Sequence, residues 1–170
     1  MSRILCIFLL LPLFGSGCGY AVQGRGSNLP SDIQSVAIPI FGNQTIQTGA
    51  ETEVARGLID KFISAKRLTV AEESSADALL TGTVKSYIQT PIAVTSGNQI
   101  VTGYRATLIV EFIFRRKRDG VVLWKSEMSE WRTYNVDSSL LVTDINKREA
   151  IRQISVLMAE RVHELILENF

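Results

Sequence analysis

An alternation of apolar and polar residues over positions 104–115 constrains the fold more than any other feature of this chain. A period of two predicts a β-strand with one buried face. The Asp119-Gly120 dipeptide then favours a tight turn, and residues 121–134 are predicted to return as the second arm of a β-hairpin. We expect residues 104–115 to form the central strand of a sheet, with these side chains on its core face: Tyr104, Ala106, Leu108, Val110, Phe112 and Phe114.

The second face of this hairpin also carries apolar residues. Ile109 and Ile113 occupy positions of the opposite parity, and Trp124 and Trp131 differ by an odd number of residues, so they fall on opposite faces. One tryptophan is therefore expected under the helices and the other on the second face. An apolar patch left open to water usually indicates a partner.

Three further strands are predicted. Residues 36–40 alternate up to Pro39, which lacks a ladder donor and favours an edge position. Residues 68–71 form a short candidate, and residues 78–89 form a longer strand. In the longer strand we expect Leu80, Val84 and Ile88 to share one face, and Gly82 to let the helix layer approach the backbone.

Two amphipathic helices are predicted. Thr48 and Glu51 have the spacing of a capping box before a helix over residues 51–66, and Asn146 and Glu149 repeat it before a second helix that runs to near the C-terminus. Residues 135–146 are expected to form a long functional connection. By helical periodicity, His163 is expected on the outer side of the second helix.

Each helix has one apolar side, so both are predicted to pack on one face of the sheet. The predicted class is α+β, with two helices on one face of a four-stranded, mixed, mostly antiparallel sheet. One domain is expected over residues 36–170.

The N-terminus has the pattern of a lipoprotein signal. Arg3 precedes a short apolar run, and small residues lead to Cys18. We expect residues 1–17 to be removed, Cys18 to be acylated, and residues 18–35 to tether the domain to a membrane. The alternative is an ordinary signal peptide that ends near a cysteine.

Composition and motifs exclude several function classes. The net charge of +1 does not favour nucleic-acid binding. His163 is the only histidine, and no local motif pairs it with a nucleophile or metal ligands. We therefore predict no enzyme activity, no metal and no cofactor. The strongest local charge is at the hairpin turn, where Arg115, Arg116, Lys117 and Arg118 are expected to meet lipid phosphates or an acidic partner loop, unless they only keep the turn soluble.

Several short motifs, in order and attached to the lipoprotein signal, resemble the LPS-assembly lipoprotein family, LptE. They are Cys18-Gly19-Tyr20, Val36-Ala37-Ile38-Pro39 with Phe41, Asn43 and Thr45, and the stretch from Ala76 to Val84, followed by the long strand from Tyr104. The resemblance implies an outer-membrane lipoprotein that plugs the LptD β-barrel and helps insert lipopolysaccharide into the outer leaflet. Gly19 after the cysteine resembles the signal for passage to the outer membrane.

The resemblance does not carry over a lipopolysaccharide site residue by residue. Basic residues known in two loops of some family members are absent here from residues 94–98 and 141–144, so lipopolysaccharide remains a candidate ligand of the turn at Arg115–Arg118. An alternative stays open. Outer-membrane lipoproteins that regulate a cell-wall synthase or form part of a secretion pore also combine an early Val-x-Ile strand with an Ala-Asp-x-x-Leu-x-Gly strand.

Overall fold

The computed structural model describes residues 29–94 and 100–168. Along the chain the elements are β1 (Ser35–Ala37), β2 (Gly42–Asn43), α1 (Ala50–Ala65), β3 (Thr69–Val70), β4 (Ala78–Val94), β5 (Val101–Arg116), β6 (Val122–Asn135) and α2 (Leu140–Glu168). The sheet order is β3-β1-β4-β5-β6, and β2 also pairs with β4. The α+β class is confirmed. The described sheet has six strands rather than four: the short candidate over residues 68–71 is present as β3, and β2 was not predicted.

The long hairpin forms as predicted. β5 pairs antiparallel with β4 on one side and with β6 on the other, and its core-face residues from Ala106 to Phe114 are fully buried. β4, rather than β5, occupies the middle of the strand order. The reason is that β1 pairs with β4 in parallel and brings β3 to the far edge.

A proline breaks the edge that lies against β4. β1 pairs Val36 with Ala78, and β2 resumes the same parallel pairing at Gly42 opposite Thr83. Pro39 lies in the interval, as expected for a residue without a ladder donor. Here the chain turns the buried side chain of Phe41 over the sheet.

Gly82 accommodates that ring. A Cβ built on Gly82 would lie 2.2 Å from Cε2 of Phe41, and the Phe41 ring meets Phe112 edge to face at 5.9 Å. The prediction that Gly82 lets a helix approach the sheet is therefore wrong. The close neighbour is an aromatic side chain from the strand edge.

A β-bulge in β4 reverses which residues face the core. Val84 pairs with Val110, but the next paired residue is Ser86, opposite Ile109, so Lys85 is the extra residue. Beyond the bulge Tyr87 packs against the core and Ile88 is 47% exposed on the other face. The prediction that Ile88 shares a face with Leu80 and Val84 is wrong, because that prediction assumed an uninterrupted period of two.

The N-cap of α1 lies one residue later than the predicted cap, Thr48. Its N-cap is Gly49, with φ 91°, and no side chain caps the helix from that position. Glu51 still fulfils half of the capping-box pattern, because its Oε2 accepts a hydrogen bond from the Gly49 backbone N–H at 3.0 Å. The same oxygen accepts a bond from Asn43 Nδ2 at 2.6 Å, which ties the helix to the end of β2.

α2 begins at Leu140, six residues before the predicted cap, so the predicted long connection is wrong. Only residues 136–139 separate it from β6. Asp137 Oδ1 accepts a bond from the Ser139 N–H at 2.8 Å, and Thr143 Oγ1 accepts one from the Asp137 N–H at 2.9 Å. Asn146 lies inside the helix, where its Nδ2 donates to the Asn135 carbonyl at 3.1 Å.

The two helices pack closely on the core face and run in the same direction. A Cβ on Gly57 would lie 3.0 Å from the Ser155 carbonyl oxygen, and further along both helices the rings of Phe62 and His163 meet at 5.1 Å. His163 is therefore buried between the helices, and its predicted outer position is wrong. Neither helix in the described ranges combines the length and apolar character needed to cross a bilayer.

Candidate functional site

The sheet face turned away from the helices, here called the outer face, carries apolar side chains from three strands. They are Ile88 of β4, Ile109 and Ile113 of β5, and Trp131 of β6. Ile109 and Ile113 are half-buried, whereas Ile88 and Trp131 are each 47% exposed. The predicted second apolar face is present, and Ile88 joins it because of the bulge.

The two tryptophans occupy opposite faces, as predicted. Trp124 pairs with Phe114 and packs against the core beside the helices. Trp131 pairs with Thr107 on the outer face, where the guanidinium carbon of Arg105 lies 4.4 Å from its ring centroid. This cation–π contact holds the exposed indole in place.

A charged cluster divides the apolar residues of the outer face. Glu111 accepts from Lys125 at 2.7 Å and lies 3.6 Å from Lys85. The Lys125 ammonium, followed by the coulombic effect of both lysines, lowers the pKa of Glu111. Directly opposite Glu111 on the next strand is Glu127, which is exposed and makes no ion pair with any described residue.

The four cations of the predicted binding turn, here called the basic tip, are mostly engaged within the chain. Arg116 and Arg118 both reach Asp32 Oδ2, at 3.4 and 3.0 Å, and Arg116 also pairs with Asp119 at 3.0 Å. Lys117 Nζ donates to the carbonyls of Glu73 and Ser74. Arg115 is exposed and makes no ion pair within the described residues.

The contacts of the basic tip place it where the N-terminal segment joins the domain. Leu29 packs against the core and Ile33 is buried, so residues 29–35, assigned above to the tether, lie on the domain. Asp77 holds this segment by accepting bonds from the Gln34 N–H, the Ser35 N–H and the Ser35 hydroxyl at 3.1, 3.0 and 2.7 Å. The Ser35 hydroxyl is the main cause of the lowered pKa of Asp77. Cys18 and the predicted signal lie outside the described residues.

A second candidate surface lies at the start of the two helices. A groove of about 630 Å³ separates the first turns of α1 from residues 144–152 of α2. Arg152, followed by Gln153, lowers the pKa of Glu149 to about 2, and Arg148 pairs with Asp144 at 2.7 Å. The exposed Ile145 lines this groove, and Leu140 and Leu141 are exposed in the first turn of α2. Sequence reasoning missed these three residues by treating the segment as a loop.

None of these surfaces brings together the ligands of a metal ion among the described residues. Over residues 29–94 and 100–168, no group of three or more His, Cys, Asp or Glu residues is arranged to hold a metal ion. Burial lowers the pKa of His163, whose ring contacts Phe62. The arrangement instead offers surfaces for binding: an apolar outer face, a charged cluster and a groove.

Solved structures share this fold at low sequence identity. The chain resembles uncharacterized lipoprotein B from Nitrosomonas europaea (TM-score 0.55, 12% identity, covering 88% of this chain and 90% of that one). It also resembles rare lipoprotein B from Shewanella oneidensis (TM-score 0.51, 12% identity, 76% and 91% covered). A protein from Caulobacter crescentus aligns with TM-score 0.56 at 12% identity, over 80% and 88% of the two chains. No curated protein matches this chain in sequence.

A sequence model of one family covers nearly the whole described domain. The model for LptE, described as lipopolysaccharide assembly, matches residues 33–166. This range starts at the buried Ile33 and ends at the buried Ile166 of α2, so it includes every strand and nearly all of both helices. The chain therefore belongs to the LptE family of lipopolysaccharide-assembly lipoproteins.

Proposed function

We propose that this protein is an outer-membrane lipoprotein, anchored through Cys18, that plugs the LptD β-barrel and helps it insert lipopolysaccharide into the outer leaflet. Membership of the LptE family supports the role in lipopolysaccharide assembly. The observation that carries the plug proposal is the outer face, on which Ile88 and Trp131 are each 47% exposed and Ile109 and Ile113 only half-buried, whereas Ala106 to Phe114 on the core face of β5 are fully buried.

Such a face fits the inside of a protein barrel better than open water. Single exposed apolar residues are ordinary on protein surfaces, but here four of them share one sheet face. The Arg105–Trp131 cation–π pair and the ion-pair cluster around Glu111 lie on the same face. Inside a barrel, the charged groups of this pair and cluster would contact polar groups of the lumen wall. We propose Ile109 and Ile113 as contact residues on this face.

The proposal assigns no chemical step to the protein. The LptE family is a family of lipoproteins without enzyme activity, and the contacts described above are those of a binding protein. Its contribution to transport would be to occupy the lumen of the partner barrel, and this depends on complementarity between its surface and the lumen wall.

Of the four cations of the basic tip, fewer are available to bind lipopolysaccharide directly than the sequence suggested. Arg116 and Arg118 are paired with Asp32, and Lys117 holds two backbone carbonyls. Arg115 is the cation of the tip that remains exposed without an ion pair among the described residues. We propose Arg115 as the first position of the tip at which to look for contact with a lipid phosphate.

Co-purification from cells tests the plug proposal. Full-length protein carrying Ile109→Asp is compared with Ile109→Leu and with wild type, after membranes are solubilised in mild detergent. We expect wild type and Ile109→Leu to retain LptD. Ile109→Asp should lose about tenfold of it, because a charge is buried without a partner at the contact. Circular dichroism of each purified variant checks that the fold is intact.

Photo-crosslinking identifies the neighbour directly. A photoreactive residue in place of Trp131, and another in place of Arg115, is irradiated in cells, and the adducts are blotted for LptD and for lipopolysaccharide. Release of the wild-type protein without a barrel, or an adduct with a cell-wall synthase, would overturn the plug proposal in favour of the regulator or secretion-pore alternative. Equal incorporation of labelled palmitate by wild type and by Cys18→Ser would contradict the lipid anchor.

A further inference from the structure

The two edges of the sheet are built differently. At one edge the strands are short, because β3 has two residues and the β1–β2 line is broken around Pro39. At the other edge β6 has 14 residues, and from Trp124 to Asn135 its pairing with β5 shows no register shift. Natural sheets commonly protect an edge by shortening, bulging or proline. Between Trp124 and Asn135, β6 uses none of these three devices, and its bulge lies before this stretch, at Leu123.

The register shows which backbone groups of β6 face outward. The Val136 N–H donates to the Thr102 carbonyl at 3.0 Å, so even-numbered residues of β6 point their backbone groups at β5. Odd-numbered residues therefore point theirs away from the sheet. Two side-chain contacts agree with this assignment, because Asn146 donates to the carbonyl of Asn135 and Arg132 donates to the carbonyl of Trp131. The outward backbone groups between Lys125 and Thr133, of which the Trp131 carbonyl accepts the bond from Arg132, are here called the open edge.

The charges beside the open edge indicate what fits there. Glu127 lies directly opposite Glu111, and like charges at paired positions are destabilising. Both lysines of the cluster approach Glu111, and Glu127 has no ion pair among the described residues. A lysine or arginine on a neighbouring strand, opposite Glu127, would give this carboxylate the ion pair that it lacks among the described residues.

The apolar outer face is continuous with the open edge. The row of paired residues Ile88, Thr107 and Trp131 runs across three strands and ends at β6. An added strand would extend this row, and an apolar residue at the position beside Trp131 would cover the indole. A partner seated on the outer face would therefore have polypeptide within reach of the edge.

We propose that the open edge of β6 accepts an extended segment of the partner polypeptide as an additional strand, with a basic residue opposite Glu127 and an apolar residue opposite Trp131. Backbone hydrogen bonds supply the attachment, and the two side-chain positions supply register. This inference rests on the proposed function, because the partner that it names is the protein that covers the outer face.

Amide hydrogen exchange on the wild-type complex tests the proposal without any substitution. Full-length protein co-purified with LptD is compared with the same protein alone in detergent. Strand addition predicts new protection at the amides of Glu127, Ser129 and Trp131, whereas the even-numbered amides between them are already protected by β5. Protection that rises equally at odd and even positions, or at neither, would overturn the proposal.

A proline provides an independent test of the same groups. In Ser129→Pro the outward N–H is lost while the bonds to β5 remain, and Ser129→Ala is the matched control with the N–H kept. We expect Ser129→Pro to retain about tenfold less LptD than Ser129→Ala. Equal retention would reject strand addition. Failure of wild type to retain LptD would instead reject the proposed function.

The charge requirement is tested by Glu127→Lys against Glu127→Gln, both of which leave the backbone unchanged. Glu127→Lys should reduce retention of LptD about tenfold, and Glu127→Gln should reduce it less. A rise in retention for Glu127→Lys would contradict a basic residue on the added strand. A doubled mass without LptD would show that a second copy of this chain, rather than the partner, occupies the edge.

Discussion

The ring of Phe41 fills the space above Gly82 that any side chain at that position would enter. Phe41 is 5% exposed and its ring meets Phe112, the strand partner of Gly82, edge to face, so it has little room to move. A glycine in the middle of a strand normally weakens it. Glycine is required at position 82 because the Phe41 ring packs directly on its backbone.

Gly82→Ala should destabilise the protein by about 1–3 kcal/mol, since the added methyl group overlaps the Phe41 ring. Gly42→Ala is the matched control, because the nearest atom to its added Cβ is Thr83 Oγ1 at 3.4 Å, an ordinary contact. Urea unfolding followed by circular dichroism measures both. Equal midpoints for the two variants would show that Phe41 moves aside.

His163 is the buried ionisable group between the helices, and it makes stability depend on pH. Burial lowers its pKa, with Lys61 adding to the effect. The unfolded chain therefore takes up a proton more readily than the folded protein does. The associated stability is fully present above the unfolded pKa of about 6.5 and is lost as pH falls through the folded value.

We expect the free energy of unfolding to fall as pH drops from about 7 to about 5, where most carboxylates are still ionised. His163→Phe keeps an aromatic ring beside Phe62 and cannot titrate, so it should flatten this slope whatever its effect on absolute stability. Urea denaturation at several pH values measures the slope for each protein. An unchanged slope in His163→Phe would assign the pH dependence to other groups.

At the scale of elements, the bulge at Lys85 decides which face of β4 each later residue occupies. Tyr87 packs on the core, and burial raises the pKa of its hydroxyl. Ile88 points to the outer face. Without the bulge these two neighbours would exchange faces, because a shift of one residue inverts every side chain of a strand.

Substitution of the two neighbours by the same residue tests the bulge. Tyr87→Asp should cost about 3 kcal/mol or more, because it removes an aromatic ring from the core and places a charge there. Ile88→Asp should cost about 1 kcal/mol or less in the isolated protein. Thermal unfolding compares them. The reverse order of stability would place Ile88 in the core.

At the scale of the whole molecule, the basic tip and the N-terminal segment are joined by Asp32. Both Arg116 and Arg118 reach its carboxylate, and Asp77 holds the residues that follow it. The charges that the sequence suggested for a ligand thus fasten the point at which the chain enters the domain. The residues Asp77, Gly82 and Phe41 belong to the motifs that resemble the family. They too have a structural explanation, because all three lie where β1, β2 and the residues between them meet β4.

Asp32→Asn should lower stability by about 0.5–1 kcal/mol at low salt and by less at high salt, because it removes two partly exposed ion pairs. Glu53→Gln, which removes the exposed ion pair with Arg56 and a weaker attraction to Arg152, should cost less than about 0.5 kcal/mol. Unfolding midpoints at two salt concentrations measure both. If Asp32→Asn lowers stability equally at both salt concentrations, Asp32 stabilises the protein through packing or hydrogen bonding rather than through its charge.

The sequence by itself determined the α+β class, the hairpin of β5 and β6, and the division of Trp124 and Trp131 between two faces. The apolar–polar periods of strands and helices are local properties of the sequence. They predict the buried face correctly wherever no β-bulge adds a residue to the strand. Only the tertiary structure decided the face of Ile88, the burial of His163 and the partners of Arg116 and Arg118. Each of these depends on a bulge, a helix pairing or an ion pair between residues far apart in the chain, and local periodicity carries no record of such contacts.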